Sequence, residues 1–260
     1  FSTRNASVAY YNSPFIEGVI IIFMFLSGAN FMLHYSALRG KLDYFKNKEF
    51  LFYTFVLVSS ILIMTADLRY SVFNNLSDAF RYSSFQATSI MTTTGFSTNN
   101  FDAYPALSRT ILLVLMFVGG CAASTGGGIK NIRALIILKY FYREIYQFVH
   151  PNAILSIKVG DETIPEDVLK GVIAFFIGYM VIFIVSTLIV TAYGIDIITA
   201  ISSVAATQGN VGPGLGLVGP LYTYALLPNL IKIVLTFCMW VGRLEIFTVM
   251  VLFVPDFWKE

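Results

Sequence analysis

The residues most able to do chemistry in this chain are Thr92-Thr93-Thr94-Gly95-Phe96-Ser97-Thr98, at the end of the apolar run Ala87-Thr88-Ser89-Ile90-Met91. The chemistry they suit is coordination, not catalysis. A run of small residues around one glycine lets backbone carbonyls turn inward without a side-chain clash. Rings of such carbonyls replace the hydration shell of a monovalent cation, and threonine hydroxyls add further oxygen ligands. The plain alternative is a threonine-rich turn between two membrane helices, and one short motif does not decide between them. The second feature is Gly119-Gly120-Cys121-Ala122-Ala123-Ser124-Thr125-Gly126-Gly127-Gly128, with five glycines in ten residues. No comfortable helix interior has that composition, because each glycine costs roughly 1 kcal/mol against alanine. The third is Arg243, inside an apolar stretch, where a charge costs at least ~2.5 kcal/mol unless it meets a polar interior or a partner.

Other chemistries fit poorly. A phosphate-binding loop needs lysine directly after a glycine and then serine or threonine. Here Ile129 separates Gly128 from Lys130, and Asn131 follows. His34 and His150 have no second ligand at metal spacing. Ser124 has no histidine or lysine placed to activate it as a nucleophile, so no enzyme activity is expected. Cys121 and Cys238 both lie in apolar segments, as buried thiols do.

The elements that must hold these residues are membrane helices. Of 260 residues, 57% are hydrophobic and 12% charged, against roughly 25% charged in soluble domains. Mean hydropathy is +0.73. Apolar stretches at 13–35, 50–65, 106–148, 168–192 and 222–254 are candidate spans. The third is interrupted by the glycine run, and short helices are expected at 76–91 and 196–207. Non-helical backbone at membrane depth is tolerated only inside protein or against a water-filled cavity. The glycine run is therefore expected in the pore below the coordinating turn, as a flexible barrier, with close packing as the alternative. Arg243 is expected to project towards it. Lys232, about 16 Å further up the helix, is expected to snorkel.

Basic residues set orientation. Arg39, Lys41, Lys46, Lys48, Lys130, Arg133, Lys139, Arg143, Lys158 and Lys170 fall on one side, and Arg4, Arg69, Arg81 and Arg109 on the other. The first side is expected to be cytoplasmic. Asp67, Asp78, Asp102 and Asp196 then lie outside, as cation attractors or as helix caps and solvated faces.

The coordinating turn recurs. Thr92-Thr93-Thr94-Gly95-Phe96 lays over Gly209-Asn210-Val211-Gly212-Pro213, each preceded by a short helix and followed by a span. Phe96-Ser97-Thr98-Asn99-Asn100 also reappears as Phe1-Ser2-Thr3-Arg4-Asn5, as if the chain opened inside a further copy and formed the C-terminal part of a longer protein. The unit is span, short helix, turn, span, in one orientation. Residues 1–37 hold the end of one pore loop and its following membrane helix. Residues 49–148 form a complete unit, 149–166 a cytoplasmic loop and 167–254 a second complete unit. The expected fold is all-α and transmembrane, with such units around a pseudo-fourfold pore.

The 119–130 loop, Asn210-Val211-Gly212-Pro213-Gly214-Leu215-Gly216, Gly242-Arg243-Leu244-Glu245 and Val149-His150-Pro151-Asn152-Ala153 together resemble TrkH. That family comprises the membrane subunits of bacterial Trk potassium uptake systems, in one superfamily with KtrB and the fungal and plant Trk/HKT transporters. The resemblance covers the whole chain. It implies potassium uptake across the bacterial inner membrane by a multi-pass, channel-like subunit, with a proton- or sodium-coupled symporter as the alternative. It implies a filter at Thr93, Thr94, Gly95, Phe96, Asn210, Val211, Gly212 and Pro213, with K+ held at Thr94, Gly95, Val211 and Gly212. It implies a gate at Gly119, Gly120, Ser124, Thr125, Gly126, Gly127, Gly128 and Arg243. The implied partners are a second copy, membrane lipid and a cytosolic ring of nucleotide-binding TrkA-like subunits, with no nucleic acid and no cofactor beyond the transported K+.

Overall fold

In the computed structural model, residues 7–41, 43–153, 155–160 and 162–259 are described. The copy expected at Phe1–Asn5, with Arg4, lies outside them. The chain is helical, apart from one small hairpin. The helices are α1 (Pro14–Gly28), α2 (Phe31–Leu38), α3 (Lys48–Ser71), α4 (Leu76–Met91), α5 (Ala106–Phe117), α6 (Asn131–Val149), α7 (Glu166–Ala192), α8 (Ile197–Gln208), α9 (Asn229–Leu244) and α10 (Ile246–Met250). Starts follow the sequence: Ser13 caps α1 ahead of Pro14, Asn47 caps α3 through Phe50 N at 2.9 Å, and Asp196 caps α8 through Thr199 N at 3.0 Å. Such side chains satisfy first-turn N–H groups that no helix can pair internally.

By length and composition α3 and α7 can each cross a membrane, and two bent pairs, α1 with α2 and α9 with α10, reach span length together. The expected single spans at 13–35 and 222–254 are therefore each broken. α1 and α2 meet at 101° across Ala29–Asn30, and α9 turns by 118° at Glu245. Asn30 caps the new helix through Met32 N at 2.8 Å. His34 Nε2 bonds the carbonyl of Leu26 at 2.8 Å, an acceptor near the interrupted end of α1. The expected polar loop at 149–166 contains an antiparallel hairpin, β1 (Lys158–Val159) against β2 (Glu162–Thr163).

The main core joins α3, α4 and α5 through Tyr53, Leu57, Met64, Leu68, Ile90, Met91, Leu112 and Met116. α4 and α8 are buried almost all round from Ser83 to Thr92 and from Ser202 to Gly209. At 1.5 Å per residue they span only about 18–24 Å, so they sit within the protein and do not cross it. Their hydroxyls fold back onto their own turns, as Thr88 does onto Ser84 O (2.7 Å) and Thr207 onto Ser203 O (2.7 Å). α4 is also tied to α1 by Arg81, whose Nε and Nη2 reach the buried Glu17 carboxylate at 2.6 and 2.7 Å.

Three of the four outer acids have structural partners. Asp196 caps α8, Asp67 accepts Ser108 N and Oγ at 3.1 and 2.6 Å at the start of α5, and Asp102 accepts Gly216 N at 2.9 Å. For these three the cap reading accounts for the residue.

Candidate functional site

Two turns leave the C-terminal ends of α4 and α8, where the helix dipole carries partial negative charge. Their backbones repeat each other. Ser89 O accepts Thr94 N at 2.9 Å and Gly95 N at 3.3 Å, and Ala206 O accepts Val211 N at 2.8 Å and Gly212 N at 3.4 Å. Thr93 N reaches Ile90 O at 3.0 Å, as Asn210 N reaches Thr207 O at 3.0 Å. Thr93 and Asn210 are left-handed at φ 55° and 57°, and Gly95 and Gly212 at 77° and 107°. The overlay drawn from sequence thus pairs residues with the same conformation.

The turns face each other. A Cβ on Gly95 would collide with the carbonyl oxygen of Val211 and lie 3.1 Å from Pro213 Cδ. Thr93, Thr94, Asn210, Val211, Gly212 and Pro213 share the wall of one cavity of about 570 Å³. Among the described residues no donor is bonded to the carbonyl oxygens of Thr93, Thr94, Gly95, Asn210 or Val211. Protein interiors rarely leave a cluster of carbonyls unpaired. Two carbonyls of the expected set are engaged elsewhere. Phe96 O accepts Ser89 Oγ at 2.6 Å, and Gly212 O accepts Tyr224 Oη at 2.7 Å.

Sequence reasoning missed Tyr224, because its partner lies in another segment. A tyrosine a few residues after a glycine-rich turn is the signal available. Tyr224→Phe is expected to loosen the 209–213 turn by about 1 kcal/mol, the net worth of one neutral hydrogen bond. The check is faster hydrogen exchange of residues 210–216 with the 92–96 turn unaffected.

The glycine-rich segment lies against both turns. Gly127 N donates to Thr93 Oγ1 at 2.8 Å, and a Cβ on Gly127 would fall 2.5 Å from Gly209 O and 3.0 Å from Asn210 Cβ. Its neck is closed by Ile129 N to Phe117 O at 3.0 Å and Gly119 N to Ile129 O at 2.9 Å. It docks into the α1–α2 bend, where Cys121 N reaches Gly28 O at 2.8 Å and Thr125 N reaches Ser27 O at 3.3 Å. Close backbone approach therefore explains part of its glycine content, alongside whatever mobility it has.

Arg243 stands at the end of α9, before the bend, and not in the middle of a span. Its Nη1 donates to Thr125 O at 3.0 Å. Lys130 Nζ donates to the carbonyls of Gly126 and Ser124, and Ser124 Oγ to Cys121 O. Ser124, Gly126, Gly127, Gly128, Lys130 and Arg243 line a second cavity of about 260 Å³. Gly119 and Gly120 form the neck above it. Glu245 is bonded to Arg133 at 2.7 Å, not to Arg243. Lys232 lines the larger cavity and donates to Ala225 O at 2.8 Å, beyond the start of α9.

Matched turns at the ends of buried half-length helices, with unpaired carbonyls between them, define a helical membrane protein of the re-entrant-turn class. A family model described as TrkH, cation transport protein, matches residues 1–260. The Trk system potassium uptake protein TrkH of Salmonella typhimurium is 42% identical over all of this chain and 54% of its own length. TrkG of Escherichia coli, also named a Trk system potassium uptake protein, is 32% identical over the same shares. The crystal structure of the potassium transporter TrkH from Vibrio parahaemolyticus superposes with a TM-score of 0.93 at 39% identity, covering 100% of this chain and 56% of that one. The chain belongs to the TrkH family of cation transport proteins, and it spans about half the length of the relatives it matches.

Proposed function

We propose that this chain forms two sides of a potassium-selective uptake pathway in a bacterial inner membrane. It would cross that membrane several times and conduct without covalent chemistry. The observation that carries the reading is the set of carbonyls at Thr94, Gly95 and Val211 left unengaged among the described residues, on two matched turns packed so closely that the Val211 oxygen lies against Gly95. Those oxygens would take the place of an ion's hydration water, with Gly212 contributing the lone pair that Tyr224 leaves and the hydroxyls of Thr93 and Thr94 at hand. The remaining sides would come from equivalent units, one of them ending in Phe1-Ser2-Thr3-Arg4-Asn5, to give a pseudo-fourfold arrangement.

The 119–128 segment beneath would be the gate, with Arg243 holding it shut through Thr125. The names of the relatives support potassium as the cargo. The family resemblance supports a homodimer regulated by a cytosolic ring of nucleotide-binding TrkA-like subunits. Coupling to a proton gradient through Glu245 finds little support, since that carboxylate is committed to Arg133.

The test is radiolabelled rubidium uptake into liposomes holding the full-length protein. Excess potassium should compete strongly and sodium weakly. Equal competition by the two ions would refute selectivity.

A further inference from the structure

Glu49 is a buried carboxylate that the transport reading leaves unused. It lies in the first turn of α3, 5% exposed. Asn47 fixes that turn by accepting Phe50 N, and Tyr44, Phe25 and Tyr53 pack around the Phe50 ring. Among the described residues Glu49 forms no ion pair. Lys130 is bonded instead to the carbonyls of Ser124 and Gly126.

One oxygen of Glu49, Oε1, accepts two backbone donors far apart in sequence: Ala122 N at 2.5 Å and Ile132 N at 3.1 Å. Ala122 is the fourth residue of the glycine-rich segment, and Ile132 is in the first turn of α6. The N-cap position of α6 is Lys130, whose side chain has no acceptor and makes no cap bond. Its first N–H groups need an acceptor from elsewhere, and the positive end of its dipole favours a carboxylate there. Glu49 supplies both from a neighbouring helix. The same carboxylate oxygen pins the near end of the segment. Asn131 adds a second tie at that place, Nδ2 to Gly119 O and N to Gly120 O.

We propose that Glu49 is a positioning residue for the gate: a clamp that fastens both ends of the glycine-rich segment to α3, so that only residues 123–128 are free to swing. It touches no ion itself. The functional meaning rests on the gate reading above, but the clamp is a statement about the segment and can be tested without transport.

The two cysteines provide the test. Cys121, beside Ala122, and Cys238, in α9 against Ser186, are both fully buried. Full-length protein in proteoliposomes is prepared in two backgrounds, each keeping one of these thiols and replacing all other cysteines with alanine, and is labelled with N-ethylmaleimide. Glu49→Ala is expected to speed Cys121 labelling about fivefold or more through local opening, with Cys238 labelling unchanged. No change at Cys121, or equal acceleration at both sites, would overturn the clamp.

Should Glu49→Ala fail to fold, Glu49→Gln keeps the shape and a neutral acceptor. Hydrogen exchange of residues 119–132 should then rise about threefold, since a charged acceptor bonds more strongly than a neutral one, while 197–208 stays constant. Unchanged exchange at 119–132 would overturn the proposal. Rubidium uptake by the unsubstituted protein is measured in the same vesicles. A protein that shows the labelling contrast but carries no rubidium would keep the clamp and lose the transport reading.

Discussion

Gly95→Ser should reduce the preference for potassium over sodium by roughly 5- to 100-fold. The backbone at Gly95 is left-handed, φ 77°, and a Cβ there would collide with the Val211 carbonyl oxygen of the facing turn. A side chain there brings two costs. Left-handed backbone is strained by about 1–3 kcal/mol for a residue with a Cβ, and the new atom must push the opposite carbonyl away. Each 1.4 kcal/mol is a tenfold change in an equilibrium, which gives the range stated. Because the clash is with Val211, the defect spreads to the 209–213 turn. The rubidium assay with potassium and sodium competition measures it, and selectivity equal to that of the unsubstituted protein would count against a shared filter. Gly212 has the same conformation, but its Cβ position is open, so Gly212→Ser should do less.

Arg243→Ala should raise ion flux about 10- to 100-fold at matched expression. The guanidinium donates to Thr125 O from the end of α9, and so ties a helix to the part of the segment proposed to move. A hydrogen bond to a charged group contributes about 1.5–3 kcal/mol. Its loss shifts a closed-to-open equilibrium by the corresponding factor, and a cation is removed from the path as well. Lys130 remains on the carbonyls of Gly126 and Ser124, so closure should weaken without disappearing. Arg243→Lys keeps the charge but loses the planar donor array and should fall between. Flux unchanged or lowered in Arg243→Ala would remove Arg243 from the gate.

The parts of this architecture that sequence reading anticipates are those written in local pattern. α4 and α8 are short, rich in hydroxyls and followed by glycine, and the overlay of the two turns needs only residue types in order. The break between α5 and α6 is equally plain, because no helix carries that glycine density. The bends at Ala29–Asn30 and Glu245 were not legible. Hydropathy counts apolar residues and is blind to direction, and the donors that meet Gly28 O and Ser27 O, Cys121 N and Thr125 N with its Oγ1, come from far along the chain.

The same reason hides Tyr224 and Glu49. Each is ordinary in its own window and gains meaning from a backbone group supplied by another segment. Glu49 was further obscured because it stands at the margin of an apolar stretch, where a carboxylate passes for a solvated end. The strands at Lys158–Val159 and Glu162–Thr163 are two residues each, too short to leave a periodic trace.

The claim everything else depends on is that main-chain oxygens of Thr94, Gly95 and Val211, with Gly212, hold the ion. Crystals of the full-length protein grown with rubidium in place of potassium test it through anomalous diffraction. The account predicts a rubidium peak between the two turns, in contact with the carbonyl oxygens of Thr94 and Val211, which disappears when sodium replaces rubidium. Rubidium bound only elsewhere, with those carbonyls pairing to protein donors, would contradict it.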